Sequence, residues 1–251
     1  MEACLPDYNL NIIIPVYNEG EKLLPWLEQV LSYLSPADSL VVVDASEADD
    51  TQRLLSTLVL HHKQLHFLKS DKGRALQMNA GAEYLLSLPQ LPNARFSSLL
   101  WFLHSDSGLS REHLEYLHQL DPSVDWGRFD VLLTADASIN NQTFPFDIIS
   151  KLINLRSRLT QVMTGDQGIF IRSDVFQSLK GYASIPLMED VEISKRLRSK
   201  SKADCQGPIL KTSARRWQQQ GWLKTVLLMW KLRLMYWLGI SPTDLVRQYY
   251  G

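Results

Sequence analysis

Four polar residues follow apolar runs directly, in places where a side chain can meet a ligand. Asn18 and Glu19 lie just past LNIIIPV, Asp44 ends SLVVVD, and Asp106 follows SLLWFLHS. A carboxylate there can accept a hydrogen bond from a ring N–H or a hydroxyl, although Asp and Asn also favour turns and caps for local reasons. Glu189 and Asp190 open a helical segment after SIPLM, where the helix dipole by itself favours acids. Arg74, behind Lys72 and Gly73, carries a planar fork of donors able to pair with phosphate oxygens. His61, His62 and His66 straddle a helix end and a strand start, with no Cys or second His pair at ligand spacing, so a metal site there is not expected. The chain has no P-loop lysine motif, no GxGxxG and no HExxH, which leaves NTPase, dinucleotide oxidoreductase and zincin chemistry without support.

The elements that would position these residues alternate. Residues 10 to 16 read as a buried strand, and Leu23, Leu27, Val30, Leu31 and Leu34 recur at helical spacing behind it. Residues 39 to 44 form a second apolar run followed by a helix from about Thr51. HFLK at 66 to 69, a helix from Gly73 to Leu86 and SLLWFLHS at 98 to 105 continue the pattern. Such alternation predicts an α/β fold with a mainly parallel central sheet flanked by helices. In such sheets ligands bind beyond the carboxyl ends of the strands, so Asn18, Glu19, Asp44 and Asp106 should share one crevice. Later segments are less regular: FDVLLTAD at 129 to 136, a helix near 147 to 161, GDQGIFIR at 165 to 172 and a helix near 188 to 199.

The 251 residues, 45% of them hydrophobic and 21% charged, suit a globular domain and exclude disorder as the main state. The 26 basic and 27 acidic residues give a formal charge of −1, which argues against nucleic acid as a partner. Two cysteines, Cys4 and Cys205, make no disulfide framework, and MEACLPDYN lacks the charged and apolar regions of an export signal. The expected compartment is cytoplasmic, and the acceptor sequence for glycosylation at Asn141, Gln142 and Thr143 then carries no meaning. From Lys195 to Arg233, eleven basic residues face only Asp204.

Six segments in order, IIIPVYNEG, VVVDASEADDT, GRALQMNAGAEYL, LLWFLHSDSGL, GDQGIFIRSDVF and PLMEDVEISKRLR, resemble the glycosyltransferase family 2 pattern of GT-A-fold enzymes. The likeness is nearest to the subgroup associated with radical-SAM/selenodomain proteins, and it runs from about residue 10 to 240. It implies a nucleotide-sugar donor whose base and ribose lie among Pro15, Tyr17, Asn18, Glu19 and Asp44, with Arg74 beside the pyrophosphate. His104, Ser105 and Asp106 stand where the family has its DxD element, so Asp106 would hold a divalent cation, Mg2+ or Mn2+, with His104 in place of the first carboxylate. Glu189 and Asp190 match the ED motif, making them the catalytic pair and Asp190 the base for the acceptor hydroxyl in inverting members. Asp166 and Gln167 would line the acceptor side. Arg216 and Trp217 resemble half of the QxxRW motif and would touch donor phosphates and acceptor, with Ser213 where glutamine belongs; processive polymerisation is not inferred.

The expected organisation is a GT-A-like catalytic domain over 1–210 and a C-terminal helical extension over 211–251. Within the extension, Trp222 to Leu238 is a 17-residue stretch broken by Lys224, Lys231 and Arg233, short of the roughly 20 mostly apolar residues of a spanning helix. Its Trp and Tyr among basic residues suit a peripheral helix at the inner face of an anionic membrane. Lys224 and Lys231 lie on one side, however, and Arg233 on the other, so packing on the domain or a homodimer is an equal expectation. The expected function is transfer of one sugar from a nucleoside diphosphate to a hydroxyl acceptor. The rivals are a degenerate nucleotide-sugar or membrane-associated binding module and a sugar nucleotidyltransferase.

Overall fold

Apolar runs without polar interruption form strands buried on both faces. In the computed structural model, which describes residues 8–48, 50–89, 96–136 and 145–250, four such runs pair in parallel. They are β1 (Leu10–Val16), β2 (Ser39–Asp44), β3 (Leu65–Lys69) and β4 (Leu99–Phe102). The sheet has the order β3-β2-β1-β4 and continues into antiparallel β7 (Phe170–Arg172) and β5 (Trp126–Gly127). Register pairs Val16 with Asp44 and Ile13 with Phe102, so the carboxyl ends of β1, β2 and β4 meet along one edge. Cys4 and the segment 141–143 lie outside the described residues, as do the side chains of Lys22, Asp50, Arg216 and Tyr250.

The two-residue period of a strand divides the core in two. Ile12, Ile14, Leu40, Val42, Leu99 and Trp101 face one layer, with Leu23, Leu27 and Val30 of α1 (Leu23–Leu31), Leu55 of α2 (Asp50–His61) and Leu114 and Leu117 of α4 (Arg111–His118). Ile13, Val41, Val43, Leu100 and Phe102 face the other. That layer holds Ala75, Met78 and Ala82 of α3 (Arg74–Ser87), Phe176 of α6 (Ser173–Ser178) and Ile193 and Leu197 of α7 (Glu189–Arg198). Gly81 lets α3 approach the sheet: a Cβ there would sit 2.6 Å from Ile13 and 2.9 Å from Val43. Any larger residue would push α3, and Arg74 at its start, away from the strand ends.

A smaller parallel sheet joins β6 (Val131–Thr134) to β8 (Leu210–Ser213) and is covered by α5 (Phe146–Thr160) through Leu133, Phe146, Ile149 and Ala214. The expected boundary between residues 210 and 211 falls inside β8. Beyond it come α8 (Arg215–Gln220), α9 (Trp222–Trp237) and α10 (Pro242–Tyr250), separated at Gly221 and Gly239, whose φ values of 85° and 88° suit glycine. The strand expected at 165 to 172 is also divided. Gly168, at φ 57°, separates a 3-10 turn over Gly165–Gln167 from the three-residue β7. Among the described residues no helix is long and apolar enough to cross a membrane.

Candidate functional site

At the end of β2 the polar groups are tied to one another. Asp44 is fully buried, and burying a charge requires partners. One carboxylate oxygen accepts from the Ser46 amide at 3.0 Å and hydroxyl at 2.5 Å, and the other lies 3.1 Å from the Lys69 ammonium. Ser46 Oγ also accepts the amide of Asn18 at 2.7 Å, which holds Asn18 in its left-handed conformation at φ 55°. Tyr17 is exposed, and Lys72 donates to its hydroxyl at 3.0 Å while lying 4.1 Å from the ring centroid. Asp44 thus shapes the β1 loop through Ser46 and presents no open face. Any contact of its carboxylate with a ligand requires Ser46 or Lys69 to yield.

The β4 loop separates two hollows. One, narrow, is lined by Pro15, Arg74, His104, Tyr182, Glu189 and Asp190 among others. The second, wider, is lined by Glu19, Ser105, Asp106, Asp136, Ser213 and Arg215 with Leu23. Asp106 and Asp190 therefore line different hollows, whereas Asp44 lines neither. Burial pushes the Asp106 carboxyl above its ordinary value, and the negative charges of Glu19 and Asp166 add to this against its own backbone N–H and Arg74. Asp166 has a buried oxygen, Oδ1, with no hydrogen-bond partner. His104 keeps Nε2 buried and unpartnered, and burial, helped by Arg74, drives its imidazole well below the usual range, so the ring is neutral.

Glu189 and Asp190 begin α7, where the dipole favours acids. They have different tasks. Asp190 is half-buried, and its oxygens accept the amides of Gly165 at 2.9 Å and Val191 at 2.7 Å. Glu189 is buried with Oε1 3.7 Å from Arg74 Nε, and burial together with Asp190, opposed by Arg74, raises its carboxyl to about 6. Gly165 is what admits Arg74 and His104: a Cβ at that position would lie 2.7 Å from the guanidinium and 3.1 Å from the imidazole. The residue before the pair, Met188, is left-handed at φ 68°, a conformation costing a non-glycine residue about 1–3 kcal/mol. It is pinned by packing against Val191, Leu232 of α9 and Leu245 of α10, so the tail fixes the entry to the acidic pair.

Two expected acceptor residues lie elsewhere. Gln167 is fully buried; its amide oxygen caps Thr164 and its nitrogen donates to Ser157 at 3.0 Å, because an enclosed amide must satisfy both ends. Trp217 packs with Leu133, Phe146, Ile149 and Val226 against the small sheet, away from the residues lining both hollows. Arg216 falls outside the described side chains, and its neighbour Arg215 lines the wider hollow. The sequence reading missed Tyr182, whose apolar surroundings are visible only in three dimensions. It also missed Arg156, which feels both Asp166 and Asp190. Among the described residues, no group of three or more His, Cys, Asp or Glu side chains is arranged to hold a metal ion by itself.

The fold is shared with solved structures of low sequence identity. The mannosyltransferase PcManGT from Pyrobaculum calidifontis, in complex with GDP-Man and Mn2+, matches with a TM-score of 0.57 at 15% identity over 81% of this chain and 56% of its own. TarS from S. aureus matches with a TM-score of 0.55 at 13% identity, over 82% of this chain and 36% of its own. Its 1–349 form in complex with UDP gives 0.56 at 13% identity, over 82% and 60% respectively. The chain thus spans between about a third and three fifths of the length of these structures. No curated protein sequence matches it. The family model described as glycosyl transferase family 2 matches residues 11–174, which include the ends of β1, β2 and β4 and the Gly165 turn. The chain belongs to glycosyl transferase family 2.

Proposed function

We propose that the protein is an inverting glycosyltransferase that moves one sugar from a nucleoside diphosphate to a hydroxyl acceptor. The observation that supports this reading is that the Glu189–Asp190 pair and Arg74 meet in the lining of one narrow hollow. Asp190, held by two backbone amides, accepts the proton of the acceptor hydroxyl as that oxygen attacks the anomeric carbon. The bond from that carbon to the diphosphate oxygen breaks on the opposite face, and the leaving group keeps its electron pair. Arg74 faces the departing phosphates and Glu189 orients Arg74 from below. Pro15, Tyr17, Asn18 and Asp44 form the nucleotide side, with Asp44 acting through Ser46. Asp166 remains the candidate for acceptor hydroxyls.

A divalent cation fits the residues present. Glu19, Asp106 and Asp166 bring negative charge together, the Asp106 carboxyl is raised, and Asp166 Oδ1 is buried without a partner. Asp106 would hold Mg2+ or Mn2+ together with oxygens of the donor, since such ions take oxygen ligands and keep several waters. When bound, the ion supplies charge neutralisation for the leaving diphosphate. The bound GDP-Man and UDP of the structural neighbours support a nucleotide-sugar donor. The motif order continues to support the radical-SAM/selenodomain-associated subgroup as the finer family placement. His104 in place of a carboxylate favours, as the second reading, a binding module without turnover.

The test is release of nucleoside diphosphate from UDP- and GDP-sugars with manganese and a panel of hydroxyl acceptors, alongside thermal shifts with each donor. Transfer requires diphosphate release that rises with acceptor. Binding with no release from any donor would favour the module, and pyrophosphate as product would favour a nucleotidyltransferase.

A further inference from the structure

Two helices carry apolar side chains into solvent at matching residue spacing. α9 exposes Leu223, Leu227, Trp230, Leu234 and Trp237, spaced alternately four and three residues apart, which is one helix face. Trp230 and Trp237 are 70% and 74% exposed, too much for residues completing a core. α5 exposes Ile148, Leu152, Leu155 and Leu159 with the same spacing. The opposite faces are committed, with Thr225 and Leu232 buried on α9 and Ile149 and Ser157 buried on α5. Val226 and Ile153 join one apolar cluster, and Arg233 acts on Arg156, so the two helices are neighbours. Exposed apolar stripes of this kind mark an interaction site.

Its charges indicate the partner. By helical spacing, Lys224 and Lys231 border the α9 stripe on one edge and Arg233 borders it on the other. The arrangement that made this helix look mixed in sequence therefore frames an apolar face with bases. Lys151 and Arg158 are exposed beside the α5 stripe, and the segment from Arg215 to Leu238 contains no acid. On α5, Arg156 donates through Nη1 to the Val162 carbonyl at 2.9 Å, while Nε and Nη2 are buried with no hydrogen-bond partner, and it feels the charges of Arg233, Asp166 and Asp190. Unspent N–H groups beside a second guanidinium suit a phosphate. At 16 residues α9 is about 24 Å long, short of the ~30 Å hydrocarbon core, so it can lie along a bilayer and not cross it.

We propose that the face formed by α5 and α9 docks on an anionic lipid bilayer, with a lipid phosphate seated between Arg156 and Arg233. A second copy of the chain is the poorer partner, because pairing the stripes would bring the flanking bases together. The test is cosedimentation of the full chain with vesicles of phosphatidylcholine alone or mixed with phosphatidylglycerol, at low and high salt. The expected result is binding to the mixed vesicles only, weakened by salt. Leu155→Glu combined with Trp230→Glu should lower binding by about tenfold or more. Arg156→Gln and Arg233→Gln should each lower it about fivefold. Thermal unfolding of each variant checks its fold, and the wild-type comparison needs no variant. The proposal is overturned if the chain ignores phosphatidylglycerol vesicles at low salt, or if the double Glu substitution leaves binding unchanged. A dimer in analytical ultracentrifugation, abolished by the same substitutions, would assign the face to a second copy. No donor is needed, so the outcome is independent of the transferase reading.

Discussion

The end of β2 and the start of α7 are both acidic corners at the edge of one sheet, but they are finished to different degrees. Around Asp44 the carboxylate is held by hydrogen bonds from Ser46 and by the charge of Lys69, with Oδ2 buried and making no hydrogen bond of its own, and Asn18 is held by Ser46. Around α7 and the β4 loop, His104 Nε2 and Asp166 Oδ1 are buried with neither a hydrogen bond nor an ion pair. Each buried polar atom left so costs about 1–3 kcal/mol, and such costs persist in folded proteins where something else is meant to satisfy them. The first corner is shaped before a ligand arrives. The proposed function has the second completed by one.

The sharpest way to break this contrast is Asp190→Asn. The amide oxygen keeps one of the two backbone N–H bonds, from Gly165 or Val191, and the other is lost together with proton acceptance, so thermal unfolding of the variant is measured beside its turnover. Turnover should fall about a hundred- to ten-thousand-fold, while donor affinity measured by calorimetry stays within a few-fold. Unchanged turnover would remove Asp190 from the mechanism and leave the second corner without its chemical role.

A smaller effect separates the corners by stability. Asp44→Asn takes the charge from a fully buried group bound to Lys69 and should cost about 1–3 kcal/mol in urea unfolding, discounted because Lys69 is partly exposed. Asp106→Asn should cost little or stabilise, since it removes one of three clustered acids. In return it should abolish the manganese-dependent rise in melting temperature seen with nucleoside diphosphate. Equal destabilisation by the two substitutions would erase the distinction between a closed and an open corner.

Sequence reading reached the first corner more completely than the second. Apolar runs such as IIIPV and SLVVVD are long enough to specify buried parallel strands, and they place Asn18 and Asp44 at strand ends by counting alone. The two-residue β5 is too short for any periodicity, and the strand expected at 165 to 172 carried no sign that its ordered part, β7, runs antiparallel. Gln167 shows the limit of motif transfer: its neighbour Gly168 turns the chain, and the amide enters the core. Arg156 and Tyr182 had no local signal, because their significance comes from Asp166, Asp190 and Glu189, which are distant in sequence. In sequence α5 was only a helix near 147 to 161, and α9 a helix with Lys224 and Lys231 on one side and Arg233 on the other. Only the coordinates show that the apolar stripes of both face outward.

The finest test concerns pH. Glu189 is raised from the ordinary 4.5 to about 6, by burial first and Asp190 second. The folded state therefore binds this proton more tightly than the unfolded chain does. Below pH 4.5 both states are protonated and no penalty exists; as pH rises through 6 the folded state must hold an unfavourable buried charge, and stability is lost. The loss should reach about 1–2 kcal/mol above pH 6. Glu189→Gln stays neutral, so its stability relative to the parent should grow from acid to neutral pH in paired urea titrations. The titration belongs to the Glu189–Asp190 pair, so Asp190→Asn should move the window downward by removing the neighbouring charge. A parent chain that instead gains stability over Glu189→Gln as pH rises would mean that attraction to Arg74 outweighs burial. The α7 corner would then be as closed as the one around Asp44.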